Sequence, residues 1–389
     1  MTLSRLLFVA IPGEGGVFDY VCELVAHLKR YHPGITIDLA YSSKRGGGRL
    51  ESLIQAIKAG GGKVIDLKVT NAPQILDLLA LWKVMQMVRS GNVQLIHAHS
   101  AKAGLLCRIL RCLLPGCPSV IYTPHAYFGL AGTKKLTAAV FNGIEGTLGR
   151  RGFTINCSLD ERNFALKKLH LPAKKLILVH HGIDLTRFRR PTDVERRTNR
   201  ERFGFSESDI VLISVGRHAH QKNYQPLYRA LDSILCHEEQ RYRFVHAGKS
   251  SEDLRDQLSA GAQEKCGNFS FLHPIEPLFY AADAFILTSR YEGLSLSVLQ
   301  ALACGLKLFL TRVPGNQCLQ SMGFQDIEWI EPCEDYSLLS QRIAQALLQW
   351  SLQATPPGPD QVLRAGHKFA VKDQCEKIFK IYNYSMKLP

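Results

Sequence analysis

The sequence predicts an α/β protein built from two doubly wound, parallel-sheet domains, and three observations carry that expectation. At 389 residues the chain is long enough for two cores. Short apolar runs alternate with helix-period segments through both halves, and no repeat of solenoid length is visible. Glycines at 15–16, 216 and 293 each follow an apolar run and precede a helical one. In parallel sheets such turns lie at the carboxyl ends of strands, where ligands bind.

Taken in order, RLLFVAI reads as a first strand and PGEGG as a glycine-rich turn. The helix that follows places Val17, Tyr20, Val21, Leu24 and Leu28 on one side. ITIDLAYSS is the next strand, KRGGGR a flexible basic loop and VIDLKV a short strand. Residues 75–90 form an amphipathic helix, and QLIHAHS a strand in which His97 and His99 alternate, one in and one out. Histidines so placed serve as structural side chains more often than as metal ligands. In SAKAGLLCRILRCLLPG, Leu105, Leu106, Ile109, Leu110 and Leu113 stand beside Lys102, Arg108 and Arg111. That mix suits a core helix with a solvated basic edge, or a helix lying on anionic lipid. SVIYTPHAYFG runs from a strand into a loop with Tyr122, His125 and Tyr127, and residues 134–150 are helical.

FRRPTDVERRTNRERFG is polar and charged, the natural interdomain boundary. Beyond it DIVLISVGRHAHQKN restarts the alternation, and RFVHAGKS and FSFLHPI are further strands. AADAFILT is a buried strand that ends just before Glu292-Gly293. The helix after it carries Leu296, Leu299, Ala303 and Leu306 on one face, Gly305 ends it, and KLFLT returns as a strand. The N–H groups of Gly293, Leu294 and Ser295 would then stand free at the helix start, facing an anionic or hydroxyl-rich ligand. SLLSQRIAQALLQWSL, the break TPPGP and a closing helix in FAVKDQCEKIFKIYNYSM complete the chain.

Composition excludes several classes. No apolar run is as long as a membrane span, and the opening residues are too short and wrongly flanked for a signal peptide. The 11 cysteines show no CxxC pair or Cys/His ligand spacing; Cys107, Cys112 and Cys117 pack as small apolar residues, which suits a reducing cytoplasm. Residues 1–195 carry 26 Lys+Arg against 13 Asp+Glu, whereas residues 196–389 carry 22 against 21. The basic half points to an anionic partner surface. Without an RNP, zinc-finger or helix-turn-helix signature, that surface is a membrane and not nucleic acid.

Ser289-x-x-Glu292-Gly293, with A-x-A-x-G closing at Gly305 and V-x-G-N at 313–316, is similar to the donor-sugar motif of the retaining glycosyltransferases of family 4. These carry the "glycosyl transferases group 1" domain. Their motif is E-x7-E; here its second position holds Gln300, which offers one carbonyl oxygen and an amide where a carboxylate would accept from both ribose hydroxyls. Gly216, Arg217 and Lys222 resemble the family's G-R-x4-K, two cations that stabilise a leaving diphosphate without a metal. Gly15 and Gly16 resemble its first loop, whose amides approach the donor phosphates or the acceptor. His125 resembles its sugar-contacting histidine, and 158–184 its passage from S-x-x-E to N-G-I-D, here His181-Gly182-Ile183-Asp184. Leu272 and His273 fall where the family seats the nucleobase.

The resemblance implies a GT-B fold, two Rossmann-like domains facing across a cleft. Residues 1–187 would bind the acceptor and 188–365 the nucleotide sugar, and a helix in 366–389 would cross back to the first domain. It implies transfer, with retention, from a nucleotide sugar (a UDP-sugar) to a lipid-linked saccharide of O-antigen, capsule or exopolysaccharide synthesis. That work belongs at the inner face of an anionic membrane, from the cytoplasm. Glu292, His125, Arg217 and Lys222 would carry catalysis by positioning and charge stabilisation; Gly15, Gly16, Gly216, Leu272, His273, Gly293, Leu294, Ser295 and Gln300 would complete donor binding. No metal or other cofactor is expected. Two rivals stay open: a sugar-nucleotide epimerase, whose acid/base constellation is not found, and a non-catalytic partner subunit, which Gln300 keeps alive.

Overall fold

The protein is described by a computed structural model over residues 2–11, 15–45, 49–70, 73–131, 135–236, 241–351 and 359–387. Residues 12–14 of the PGEGG turn, 46–48 of the KRGGGR loop, 134 at the start of the expected 134–150 helix and 355–358 of the TPPGP break lie outside the described residues. The chain divides into two compact units, Met1–His181 with Val371–Pro389, and Gly182–Ala370. The two crossing segments pair with each other inside the second unit, where the Ile183 N–H donates to the Phe369 carbonyl at 2.7 Å and Ile183 bridges Ala370.

The first unit runs β1 (Arg5–Ala10), α1 (Gly16–Tyr31), β2 (Thr36–Tyr41), α2 (Leu50–Ala59), β3 (Val64–Asp66), α3 (Leu76–Ser90), β4 (Leu95–His99), α4 (Ala101–Leu113), β5 (Ser119–Thr123), α5 (Lys135–Leu148), β6 (Phe153–Asn156), α6 (Leu159–Lys167) and β7 (Leu176–Leu178). The second runs α7 (Asp193–Arg202), β8 (Ile210–Val215), α8 (Gln225–Leu235), β9 (Tyr242–Ala247), α9 (Glu252–Arg255), α10 (Ala260–Glu264), β10 (Cys266–Phe269), α11 (Glu276–Ala281), β11 (Ala284–Leu287), α12 (Leu296–Cys304), β12 (Lys307–Thr311), α13 (Cys318–Ser321), β13 (Ile327–Ile330), α14 (Tyr336–Ser351) and α15 (Pro359–Phe369). α16 (Val371–Ser385) belongs to the first unit.

Among the described residues the strand orders are β3-β2-β1-β4-β5-β6-β7 and β10-β9-β8-β11-β12-β13. Neighbouring strands are parallel throughout, as in Leu6↔Ile37 and Phe285↔Leu308. Each order reverses direction once, between β1 and β4 and between β8 and β11, and the carboxyl ends of those pairs are the natural ligand positions. β1 shows why the strands read as unbroken apolar runs. Leu6, Phe8 and Ala10 enter a core with Leu24 of α1 and Ile378 of α16, while Leu7, Val9 and Ile11 enter another with Val84 of α3 and Leu106 of α4. Both faces of a parallel sheet are covered, so both sets of alternate side chains are apolar.

That covering corrects one expectation and decides between two others. His97 and His99 are both fully buried. Residues two apart on a strand point to the same face, and their rings lie 4.0 Å apart. α4 is a core helix, the first of the two readings offered for it, but Lys102 and Arg108 are buried and form no solvated edge. Lys102 Nζ meets Asp77 of α3 at 2.8 Å, and Arg108 meets Glu145 of α5 at 2.8 Å while stacking over Tyr122. A cluster of solvent-facing apolar side chains lies at the start of α3, where Ile75, Leu78 and Trp82 are 89%, 71% and 52% exposed; on α4 Leu113, at its last position, is exposed as well.

Two further segments gain detail beyond their sequence reading. The polar stretch 188–204, read as the interdomain boundary, carries α7, which opens on a capping box of Thr192 and Glu195. Arg200 of that helix is buried, donating to the carbonyls of Ser206, Asp209 and Ala281 and to Asp283 just before β11. β10 stops at Phe269, so residues 270–275 of the expected FSFLHPI strand form the loop that leads to α11.

Candidate active site

The predicted site residues fall into two groups, one in each unit. In the second unit three loops meet at the carboxyl ends of β8, β11 and β12. The loop after β8 starts at Gly216, whose carbonyl accepts from His246 Nε2 at 2.7 Å. His246 Nδ1 in turn meets the Tyr228 hydroxyl at 3.0 Å. A neutral ring that donates from Nε2 and accepts at Nδ1 satisfies both contacts, and burial pushes the His246 pKa down to about 4. Gly248 runs so close behind that a Cβ would sit 2.0 Å from the Gly216 carbonyl oxygen. Glycine at 248 is therefore a requirement of backbone proximity.

The loop then turns at Ala219, and Lys222 points back across it. Lys222 Nζ lies 2.8 Å from Glu292 Oε1, and Ser289 Oγ donates to the same oxygen at 2.6 Å. Gln221 Nε2 reaches Glu292 Oε2 at 3.3 Å and the Tyr291 carbonyl at 3.1 Å. Backbone contacts stitch the same loops: Arg290 N–H to the Gln221 carbonyl at 2.8 Å, and Glu292 N–H to the Pro314 carbonyl at 2.9 Å. Gly315 has φ +86°, and a Cβ there would sit 2.2 Å from the Glu292 carbonyl oxygen, so the V-P-G-N glycine serves close approach. The Glu292 carboxylate is buried and bonded from three sides, and the lysine beside it keeps some solvent access.

Arg217 is exposed and makes no hydrogen bond or ion pair among the described residues. Leu272 is half-buried and His273 exposed in the loop after β10. β10 lies two strands from β8, about 10 Å at the usual strand spacing. The α12 start differs from expectation. Ser295 is its N-cap, so the first-turn amides belong to Leu296, Ser297 and Val298, with Gly293 and Leu294 one step before the helix. The Ser295 hydroxyl meets that of Ser297 at 3.0 Å and does not cap the helix. Gln300 is half-buried on α12, a little over two turns after Glu292 by count, and Gly305 closes the helix in a left-handed conformation.

In the first unit Gly15, at φ +76°, and Gly16 are exposed at the start of α1, beside the point where the sheet order reverses. His125, after β5, sits in a chain of imidazoles. Its Nε2 is 3.2 Å from His99 Nδ1 and its Nδ1 is 3.2 Å from His181 Nε2. Tyr20 of α1 packs on all three rings, with centroids at 5.5, 4.8 and 5.2 Å. His97 bridges Tyr382 and Thr123 at 2.6 and 2.8 Å. Burial, then the neighbouring imidazoles, hold His97, His99 and His125 well below the usual histidine range. His125 itself has φ +63°, a backbone state uncommon outside glycine. The sequence reading gave no role to His99 or Tyr20 here, or to Gln221. Only His181 at the head of the H-G-I-D segment and the strand pattern QLIHAHS hint at the cluster.

The Glycosyltransferase Family 4 domain matches residues 14–187, and the Glycosyl transferases group 1 domain matches residues 195–356. A UDP-Gal:alpha-D-GlcNAc-diphosphoundecaprenol alpha-1,3-galactosyltransferase of Escherichia coli is 26% identical over 257 residues, which cover 64% of this chain and 65% of that protein. The putative glycosyltransferase EpsD of Bacillus subtilis is 25% identical, over 58% of this chain and 61% of its own length. The chain thus spans less than two thirds of either relative. HepE of Anabaena, in complex with UDP and glucose, superposes with a TM-score of 0.75 at 16% identity, over 98% of this chain and 100% of that one. That likeness shows the GT-B fold, two parallel-sheet α/β domains.

The buried neutral histidines make stability depend on pH. Their folded pKa values lie below the unfolded value of about 6.5, so their contribution is complete above that pH. It is lost as pH falls, because the unfolded chain takes up protons that the folded core refuses, at about 1.4 kcal/mol per pH unit per histidine. For His246 the window closes near its folded value of about 4. Urea unfolding midpoints should fall steeply between about pH 6.5 and about pH 5. A flat midpoint across that range contradicts the neutral-histidine assignment.

Proposed function

This chain belongs to the glycosyltransferases built from a Family 4 and a group 1 domain, and we propose that it transfers a sugar from a UDP-sugar to a lipid-linked saccharide in cell-surface polysaccharide synthesis. The observation that carries the reading is the Lys222–Glu292 pair at the carboxyl ends of β8 and β11, with exposed Arg217 on the same loop as the lysine. Lys222 uses one of its three N–H donors on Glu292, which leaves two for phosphate oxygens. Arg217 adds a planar fork suited to the second phosphate. As the glycosidic bond breaks, negative charge grows on the nucleoside diphosphate, and two cations already in place stabilise it without reorganising.

Glu292, fixed by Lys222, Ser289 and Gln221, orients the donor sugar. Its rigidity matters more than its basicity, since a carboxylate bonded from three sides is a positioning group. Leu272 and His273 receive the base, and Gln300 takes the ribose with one acceptor and one donor. Transfer proceeds at the front face with retention: the departing diphosphate takes the acceptor hydroxyl's proton as the new bond forms, and no protein nucleophile takes part. Within the first unit, His125 keeps its assigned role toward a sugar and the Gly15–Gly16 amides theirs toward phosphate or acceptor. The UDP-bound HepE structure and the galactosyltransferase relative support the choice of donor and lipid-linked acceptor. No metal or other cofactor takes part.

Membrane contact is assigned to α3. No helix among the described residues is long and apolar enough to cross a membrane. The first turns of α3 present Ile75, Leu76, Leu78, Leu79 and Trp82 to solvent on the basic half of the chain. Exposed apolar residues insert at the headgroup boundary, and the net positive charge of residues 1–195 attracts anionic lipid. The place of work is the cytoplasmic face of that membrane.

Two outcomes test these assignments. Lys222→Ala and Arg217→Ala should each reduce turnover at saturating donor by about 100-fold or more, with circular dichroism unchanged. Near-full activity in either variant removes that residue from the phosphate site. The full chain should also sediment with phosphatidylglycerol vesicles, less so as salt shortens the screening length below about 8 Å. Leu78→Asp with Trp82→Asp should weaken that binding tenfold or more. Equal binding to neutral vesicles, or no loss in the double variant, rejects α3 as the docking face.

A further inference from the structure

Away from these loops, His27, His32 and Glu376 converge on one point of the first unit. His27 lies near the end of α1, and His32 caps that helix, its N–H donating to the Leu28 carbonyl at 2.8 Å. Glu376 arrives from α16, 349 positions beyond His27. His27 Nε2 stands 3.0 Å from Glu376 Oε1, and His32 Nε2 stands 3.5 Å from the same oxygen. One ligand atom from each residue lies within 4.8 Å of the other two. His32 Nε2 is closed to solvent yet has no hydrogen-bond partner, a costly state for a ring nitrogen. Its ring is stacked on Phe379, with centroids 3.7 Å apart, so packing with α16 holds the nitrogen toward the carboxylate.

We infer that these three side chains form a zinc site that fastens α16 to α1. Zinc bonds of about 2.0–2.1 Å in tetrahedral geometry separate neighbouring ligand atoms by about 3.3 Å. The two distances to Glu376 fall on either side of that. Two imidazole nitrogens and one carboxylate oxygen suit zinc, whereas magnesium and calcium take oxygen ligands almost alone. An ion bonded to His32 Nε2 would also satisfy a buried ring nitrogen left without a partner. The Glu376 side chain is 37% exposed, which leaves the fourth position open to water. Arg30 and Lys372 lie over the Tyr31 ring, which packs 4.6 Å from His27. These cations oppose a metal ion, so the affinity belongs in the micromolar range.

The sequence reading expects no metal, and the reason is plain. Two histidines around one helix end and a glutamate near the far end of the chain make no short motif. Only folding brings them together. The ion's role is structural: it ties the returning end of the chain to the first helix, and it stabilises the folded state in proportion to its occupancy.

The test uses the full chain, stripped with a chelator and titrated by calorimetry with zinc chloride, with magnesium chloride in parallel. About one zinc per chain should bind, and zinc but not magnesium should raise the thermal unfolding midpoint. His32→Ala and Glu376→Gln should each weaken zinc binding tenfold or more. Circular dichroism of the metal-free variants checks their fold; His32 has a partly exposed side chain, so its variant decides if Glu376→Gln is disturbed. No zinc binding up to roughly 100 μM, or native affinity in the folded variants, overturns the site. The second result would move the ion to other histidines.

Discussion

A single buried carboxylate organises the second unit. Glu292 gathers Lys222 and Gln221 from the loop after β8 and Ser289 from its own loop, while its backbone N–H takes the Pro314 carbonyl of the loop after β12. Without it the lysine would stand half-buried and unpaired, and three loops would lose their common anchor. Breaking such a pair by removing one partner typically costs about 3–5 kcal/mol. That stiffness suits the transfer proposed above, in which rate would come from cations held where charge develops.

The same loops show what a sequence can and cannot disclose. The glycines were legible because close backbone approach leaves only one residue type: Gly315 against the Glu292 carbonyl, and Gly305 in its left-handed turn. Arg217, Lys222 and Glu292 were singled out by resemblance to family motifs, and the fold pairs Lys222 with Glu292. Gln221 was not, because an amide that ties two loops has no periodic signature. The α12 start fell later than expected because Ser295 sits in extended backbone, which holds Gly293 and Leu294 outside the helix.

In the first unit the misreadings share a cause. A helical wheel shows Lys102 and Arg108 among leucines, but it cannot show that Asp77 and Glu145 arrive from other helices to neutralise them. Likewise QLIHAHS displays two histidines, while His125 and His181 come from separate loops to make the imidazole chain. Long-range pairing of charged and titratable groups is fixed by topology, and it is invisible to any window of local sequence. The alternation of β1, by contrast, is local, and the two cores follow it residue by residue.

The claim that the β8–β11 loops hold a nucleotide sugar is tested most directly by incubating the full chain with UDP-, GDP- and ADP-sugars without acceptor. Released nucleoside diphosphate is then followed by chromatography. Slow hydrolysis confined to one UDP-sugar class, inhibited by free UDP, is the result expected of a donor site of this geometry. Absence of both hydrolysis and UDP binding would contradict it, and would leave the chain a non-catalytic member of its family.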